Sequence, residues 1–204
     1  YSVSLQGTGA YATTGTEINP EGVVIVAGGA VYTKGTTAAD AINAMIARSQ
    51  IEFKKASILD GSGKFDAQQM VIIASIIQAE GRPQDFTKVS QVIRNRLAIG
   101  MPLQMDSTVH FVQKLRGSIF LSTKSTLLNS LYNTYRKYGL PPGPIGNPGA
   151  LALSATVNPE AGDWLYFITV APNDTRFTSS IEQFSIWKVE YKKNLRAGKF
   201  GGSN

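Results

Sequence analysis

Apolar positions recur along this chain with spacings that predict helices over most of its length and strands at two places. The run Val23, Val24, Ile25, Val26, within residues 22–32, favours a strand and is broken by Gly28 and Gly29, which predicts a turn after it. Thr36 or Thr37 then offers an N-cap, with Asp40 in the first turn, for a helix carrying Ala38, Ile42, Met45, Ile46 and Phe53 on one face. Beyond a loop at residues 60–63, Asp66 is placed to cap a second helix, residues 67–80. That helix is apolar nearly all round, the pattern of one at the centre of a core. A third, residues 86–98, repeats Val89, Val92, Ile93 and Leu97 and stops at Gly100.

Residues 101–149 read mostly as loops and short elements. Within them, the four prolines of residues 140–149 remove donors and fix φ, which excludes regular structure. A short helix (150–157), a strand (164–170) and a final helix from Ser180, aligning Phe184, Trp187, Tyr191 and Leu195, complete the pattern. Residues 1–19 are rich in Gly, Ser and Thr without a helical period, and read as a tail, a loop or an irregular edge strand. There is no internal repeat. Helices and strands in mixed order predict an α+β fold, a helical core with short strands and long Pro/Gly-rich loops.

Composition narrows what such a fold does. At 204 residues and 21.9 kDa the chain is one domain or one domain plus a remnant: an N-terminal segment, residues 1–21, and a domain over residues 22–204. With 43% apolar and 17% charged residues it is neither a disordered tail nor a coiled coil. The absence of Cys excludes a disulfide framework, a thiolate nucleophile and Cys-based zinc sites. His110 is the single His, which removes most His-based metal sites, and no metal or cofactor is expected. The longest apolar run, residues 70–77, is too short to span a bilayer. The first residues lack a basic-then-apolar signal pattern, so any export or anchor segment is expected to lie outside this sequence. A net charge of +6 favours anionic partners such as cell-wall polymers, nucleic acid or membrane surfaces.

Glu80 is the residue that looks chemical. It ends the buried helix, Gly81 follows as a cap, and Ile77, Ile76 and Ile73 make its face apolar. Desolvation and the negative end of the helix dipole both disfavour the anion, and a carboxylic acid kept neutral near pH 7 is what a general acid requires. The alternative is a helix-end carboxylate that reaches water or pairs with Arg82. Asp106 is either a second catalytic carboxylate or an Asx-turn or N-cap residue for the segment from Thr108. Asp60, Asp85, Asp163 and Asp174 look like loop residues, and no Ser sits in a nucleophile elbow.

Several strings are distinctive: residues 74–80 (ASIIQAE), 92–97 (VIRNRL), 100–109 (GMPLQMDSTV), 132–135 (YNTY), 139–145 (GLPPGPI), then Asn147-Pro148-Gly149, Asn158-Pro159 and Leu165-Tyr166-Phe167. In this order they closely resemble the YceG-like family of endolytic murein transglycosylases (MltG type), over about residues 22–195. The resemblance implies cleavage of the β-1,4 bond between N-acetylmuramic acid and N-acetylglucosamine inside peptidoglycan strands, leaving 1,6-anhydro-muramyl ends and limiting nascent strand length. It puts the catalytic glutamate at Glu80, and has Asn95, Gln104, Asp106, Thr108, Tyr132, Asn133 and Tyr135 line or brace the cleft. Tyr132, Asn133 and the Pro-rich loop are expected to form one wall. It further implies peptidoglycan strands and cell-wall synthesis proteins as partners, and the extracytoplasmic face of a bacterial membrane as location. An N-terminal membrane helix and a LysM-like subdomain are expected to lie mostly outside this sequence. Two departures stand out: Gln78 replaces a second family glutamate, and residues 175–178 lack a family His.

One carboxyl group suffices for that chemistry. Glu80 protonates the glycosidic oxygen, then as a carboxylate takes the proton of the muramyl C6 hydroxyl, whose intramolecular attack has a large effective concentration. A hydrolase would want a second carboxylate, for which Asp106 is the candidate. A non-catalytic glycan-binding module would use Tyr132, Tyr135, Tyr138 and Trp164 as sugar platforms. A nucleic-acid binder would draw on Lys188, Lys192, Lys193, Arg196 and Lys199, which read instead as the solvated face of the last helix, so no nucleic-acid partner is expected.

Overall fold

A computed structural model describes residues 24–26, 30–32, 37–61, 63–115 and 121–200. The expected N-terminal segment, the turn at Gly28 and Gly29, and Thr36 lie outside them. The fold is α+β and mostly helical. Strands β1 (Val24–Val26) and β2 (Ala30–Tyr32) pair antiparallel, and β1 is the predicted strand. Thr37 caps α1 (Ala38–Lys55) through a capping box: its hydroxyl accepts the Asp40 N–H, and the Asp40 carboxylate accepts the Thr37 N–H. The apolar face of α1 is not a core face throughout. Phe53 packs against the cluster of Ile58, Met70, Ala74 and Leu153, whereas Ile42, Met45 and Ile46 are exposed, because the helix meets the core only near its C-terminal end.

α2 (Ala67–Glu80) is the central helix. Asp66 accepts the Gln69 N–H and the Gln69 side chain accepts the Asp66 N–H, a second capping box that fixes its start. Its residues from Ile72 to Ile77 are all buried, as a helix apolar on every side requires. A 3-10 turn (Pro83–Asp85) leads into α3 (Phe86–Ala98), which packs on α2 through Phe86, Val89 and Ile93. Gly81 ends α2 in extended backbone, so its glycine is not needed for a left-handed cap. A Cβ there would lie 3.1 Å from the Phe86 ring, so the close return of the chain leaves little room for a side chain.

Next come α4 (Asp106–Gln113), a second 3-10 turn (Ser125–Leu127) and α5 (Ala150–Val157), which lies against α2 and α3. The Pro-rich loop runs beside α2, held where the Ser75 hydroxyl accepts the Ile145 N–H and the Gln78 carbonyl accepts the Gly149 N–H. Gln78 therefore anchors a wall. The expected strand at 164–170 is β3 (Tyr166–Ala171), paired antiparallel with β4 (Asp174–Thr178), so Asp174 opens a strand rather than lying in a loop. Ser180 caps α6 (Ile181–Arg196), which covers this hairpin, with the buried Asn194 amide donating to the Val170 carbonyl.

Candidate active site

The last residue of α2 meets the first turn of α4. Glu80 Oε1 accepts the Ser107 N–H at 2.8 Å, so one of the helix's unpaired N-terminal donors is satisfied by a carboxylate from another element. α4 is presented there by an alternation in the preceding segment: Leu103 and Met105 are buried, and Gln104 between them is exposed. Gln104 adopts φ +50°, a left-handed conformation that turns its side chain outward while its N–H donates to the Thr134 carbonyl at 3.1 Å.

Burial pushes the Glu80 carboxyl above its ordinary value. Hydrogen bonding from Ser107 opposes the rise, the nearby Asp106 carboxylate adds to it, and positive charge at His110 works against it. The helix dipoles divide likewise, the C-terminal end of α2 disfavouring the anion and the N-terminal end of α4 favouring it. Burial prevails, and Glu80 is an acid with a raised proton affinity. Among the described residues it has no salt bridge; Arg82 pairs instead with Asp85 and donates to Asn173 Oδ1 at 2.5 Å.

Asp106 neither caps α4 nor forms an Asx turn. It is the first helical residue, after Met105, and its Oδ1 accepts the Tyr135 hydroxyl. Burial, then the bond to Asp106, push the Tyr135 phenol well above its ordinary range, which keeps it a donor. Glu80, Asp106, Tyr135 and the backbone of Ser107 thus gather at one place.

The other expected residues divide into those that face the cleft and those that brace it. Gln104 is exposed, and Tyr132 is half-buried with its hydroxyl beside Gly143 of the Pro-rich loop. Asn133 is fully buried: its amide donates to the carbonyls of Thr126 (3.0 Å) and Leu128 (2.7 Å), and its Oδ1 accepts the Tyr135 N–H. Thr108, also fully buried, donates to the Met105 carbonyl and shares a 2.9 Å hydroxyl contact with Thr134. Asn95 donates to the carbonyls of Gly162 and Trp164, away from Glu80 on α3. These three brace loops, and their side-chain polar groups are engaged within the chain. Trp164 packs beside Phe177 and Lys88, and Tyr138 stands exposed. An open depression of about 530 Å³ at the opposite end of α2, lined by Phe65, Gln69, Ile72, Leu97 and Leu140, contains none of these residues.

The sequence alone assigns Arg96 no role. It is 6% exposed and donates to the carbonyls of Leu103 and Leu165, each at 2.6 Å, and of Pro102 at 3.3 Å. No carboxylate lies within salt-bridge distance of it among the described residues. This one cation ties α3 to β3 and to the segment that launches α4. Its only sequence signal is an Arg on an otherwise apolar stripe of a helix.

The chain has relatives among known proteins. The YceG-like family profile matches residues 16–188. The chain is 33% identical over 159 residues to an endolytic murein transglycosylase of Bacillus subtilis (strain 168), covering 76% of this chain and 43% of that protein. It is 33% identical over 112 residues to the endolytic murein transglycosylase of Streptococcus pneumoniae (strain D39), covering 52% of this chain and 20% of that one. The chain therefore spans less than half the length of these curated relatives. A solved yceG-like protein from Listeria monocytogenes superposes with a TM-score of 0.61 at 32% identity, over 79% of this chain and 53% of that one. With the family profile covering most of its length, this chain belongs to the YceG-like family.

Proposed function

We propose that this chain is the catalytic part of an endolytic murein transglycosylase, with Glu80 as its general acid and base. The observation that carries the reading is Glu80 itself, a carboxyl whose burial raises its proton affinity and whose Oε1 is already engaged by the Ser107 N–H. With Oε1 accepting, the acid proton belongs on Oε2. Glu80 Oε2–H protonates the glycosidic oxygen as the bond from the muramyl anomeric carbon breaks, and the sugar gains oxocarbenium character. The muramyl C6 hydroxyl then attacks that carbon and its proton returns to Glu80, so the acid is regenerated and a 1,6-anhydro ring remains. Asp106, which accepts the Tyr135 hydroxyl, offers an anion beside the developing positive charge.

By the same reading the substrate is the interior of peptidoglycan strands, on the extracytoplasmic face of the bacterial cell membrane, where cutting limits nascent strand length beside the cell-wall synthesis proteins. Among the described residues no helix is long and apolar enough to cross a membrane. Mass analysis of fragments released from purified sacculi tests the chemistry. Fragments ending in 1,6-anhydro-muramic acid are expected. Reducing muramic acid ends would overturn the transglycosylase reading and make Asp106 the base of a hydrolase.

A further inference from the structure

The helix that brings Ser107 to Glu80 carries Phe111 one turn further along the same face. Asp106, Ser107, His110 and Phe111 share that side of α4, while Thr108 and Val109 turn into the core. Phe111 is 41% exposed, and its ring lies against that of Tyr132 with centroids 4.9 Å apart and planes tilted by 43°. Tyr132 is held from its other end. A Cβ on Gly143 would stand 3.0 Å from its hydroxyl, so the bare glycine lets the Pro-rich loop close on the tyrosine. The result is an aromatic pair that the Pro-rich loop borders at Tyr132 and that is exposed at Phe111, about 6 Å along the helix from the residue that holds the Glu80 carboxyl.

We propose that Phe111 and Tyr132 form a stacking platform for a pyranose ring of the glycan strand, in a subsite about one sugar away from the bond that Glu80 attacks. The proposal rests on the function proposed above. Phe111 has no polar atom, so it offers a ligand only an apolar body and the electron-rich face of its ring. The faces of a pyranose carry C–H groups that match such a surface, while its hydroxyl and acetamido groups point outward to polar partners. Because both rings are already held in place, little freedom is lost when a sugar settles on them, which is what a binding platform needs.

The test is steady-state kinetics on soluble, uncross-linked peptidoglycan strands. Phe111→Ala is expected to raise KM about 3- to 10-fold with kcat within about twofold, and Phe111→Tyr and Phe111→Trp to stay near wild type. Phe111→Leu keeps apolar bulk without a ring, remains informative should the Ala variant not fold, and is expected to show the raised KM as well. A wild-type KM in the Ala variant, a KM restored by Leu, or a loss confined to kcat overturns the platform while leaving the proposed function intact. If the wild-type protein releases no 1,6-anhydro ends from these strands, the proposed function falls and the platform with it.

Discussion

Replacing Glu80 by Gln keeps the outline of a protonated carboxyl, and the amide oxygen can still accept the Ser107 N–H, but the transferable proton is gone. Because that proton serves both half-steps, turnover is expected to fall by about 10⁴-fold, read by product release from sacculi, with the fold unchanged. Near-normal activity in a folded variant would end the assignment. In the wild type, the acid form is depleted as pH rises through the raised value of Glu80, so the rate should fall on the alkaline side. Stability has the same sign. Between the ordinary carboxylate value and the raised one, the native state holds the proton more tightly than the unfolded chain, and stability drains as pH increases through that window. Glu80→Gln removes this slope, and its advantage over wild type should widen from acid to neutral pH in denaturant titrations. Asn133 is the contrasting residue. It is fully buried and makes three hydrogen bonds to loop backbone, so Asn133→Ala should cost about 1–3 kcal/mol of stability by chemical denaturation, with activity lost only as the loop loosens.

At the scale of elements, Arg96 joins what helix packing alone leaves apart. Arg96→Ala strands three carbonyls, those of Pro102, Leu103 and Leu165 just before β3, and should destabilise by about 2–4 kcal/mol in urea. Arg96→Lys should recover little, since a point charge cannot reproduce the fork that reaches carbonyls on two sides. What was legible in the sequence follows the same division between local and distant causes. The spans of α2, α3, α5 and α6 could be read because their caps and periods lie within the elements themselves, as at Asp66 and Ser180. β4 could not, because Asp174–Thr178 carries no clean alternation and becomes a strand only through its register with β3. The outward apolar face of α1 was misleading for the same reason, since a helix's period says which residues align and not what covers them. In the site, Glu80 announced itself through its own helix. The Ser107 N–H lies 27 residues away and the Arg96 partner Leu165 lies 69 away, and no local pattern links them.

Across the whole molecule, α2 is shared between both apolar clusters: Ile72, Ile73, Ile76 and Ile77 face one, Met70 and Ala74 the other. Damage to α2 is therefore felt on both sides at once. Ile73→Ala, at a position with no exposure, should cost about 2–5 kcal/mol through the cavity it leaves, a large share of the roughly 5–15 kcal/mol that domains possess. A single shifted thermal transition is expected; two separated transitions would show that the clusters unfold independently.

The junction of α2 and α4 has one more consequence. Glu80 belongs to the first helix, but the donor that tempers its proton affinity belongs to the second, which is moored by Leu103 and Met105 in the cluster they share with α2 and by the Thr108–Thr134 contact. Proton affinity at this carboxyl is therefore a mechanical variable as well as a chemical one. Any slackening of the mooring that draws Ser107 away lifts the affinity further, and the alkaline edge of the rate profile moves upward with it. A titration curve measured at Glu80 would then gauge, from a distance, how firmly the loop of residues 130–135 is held.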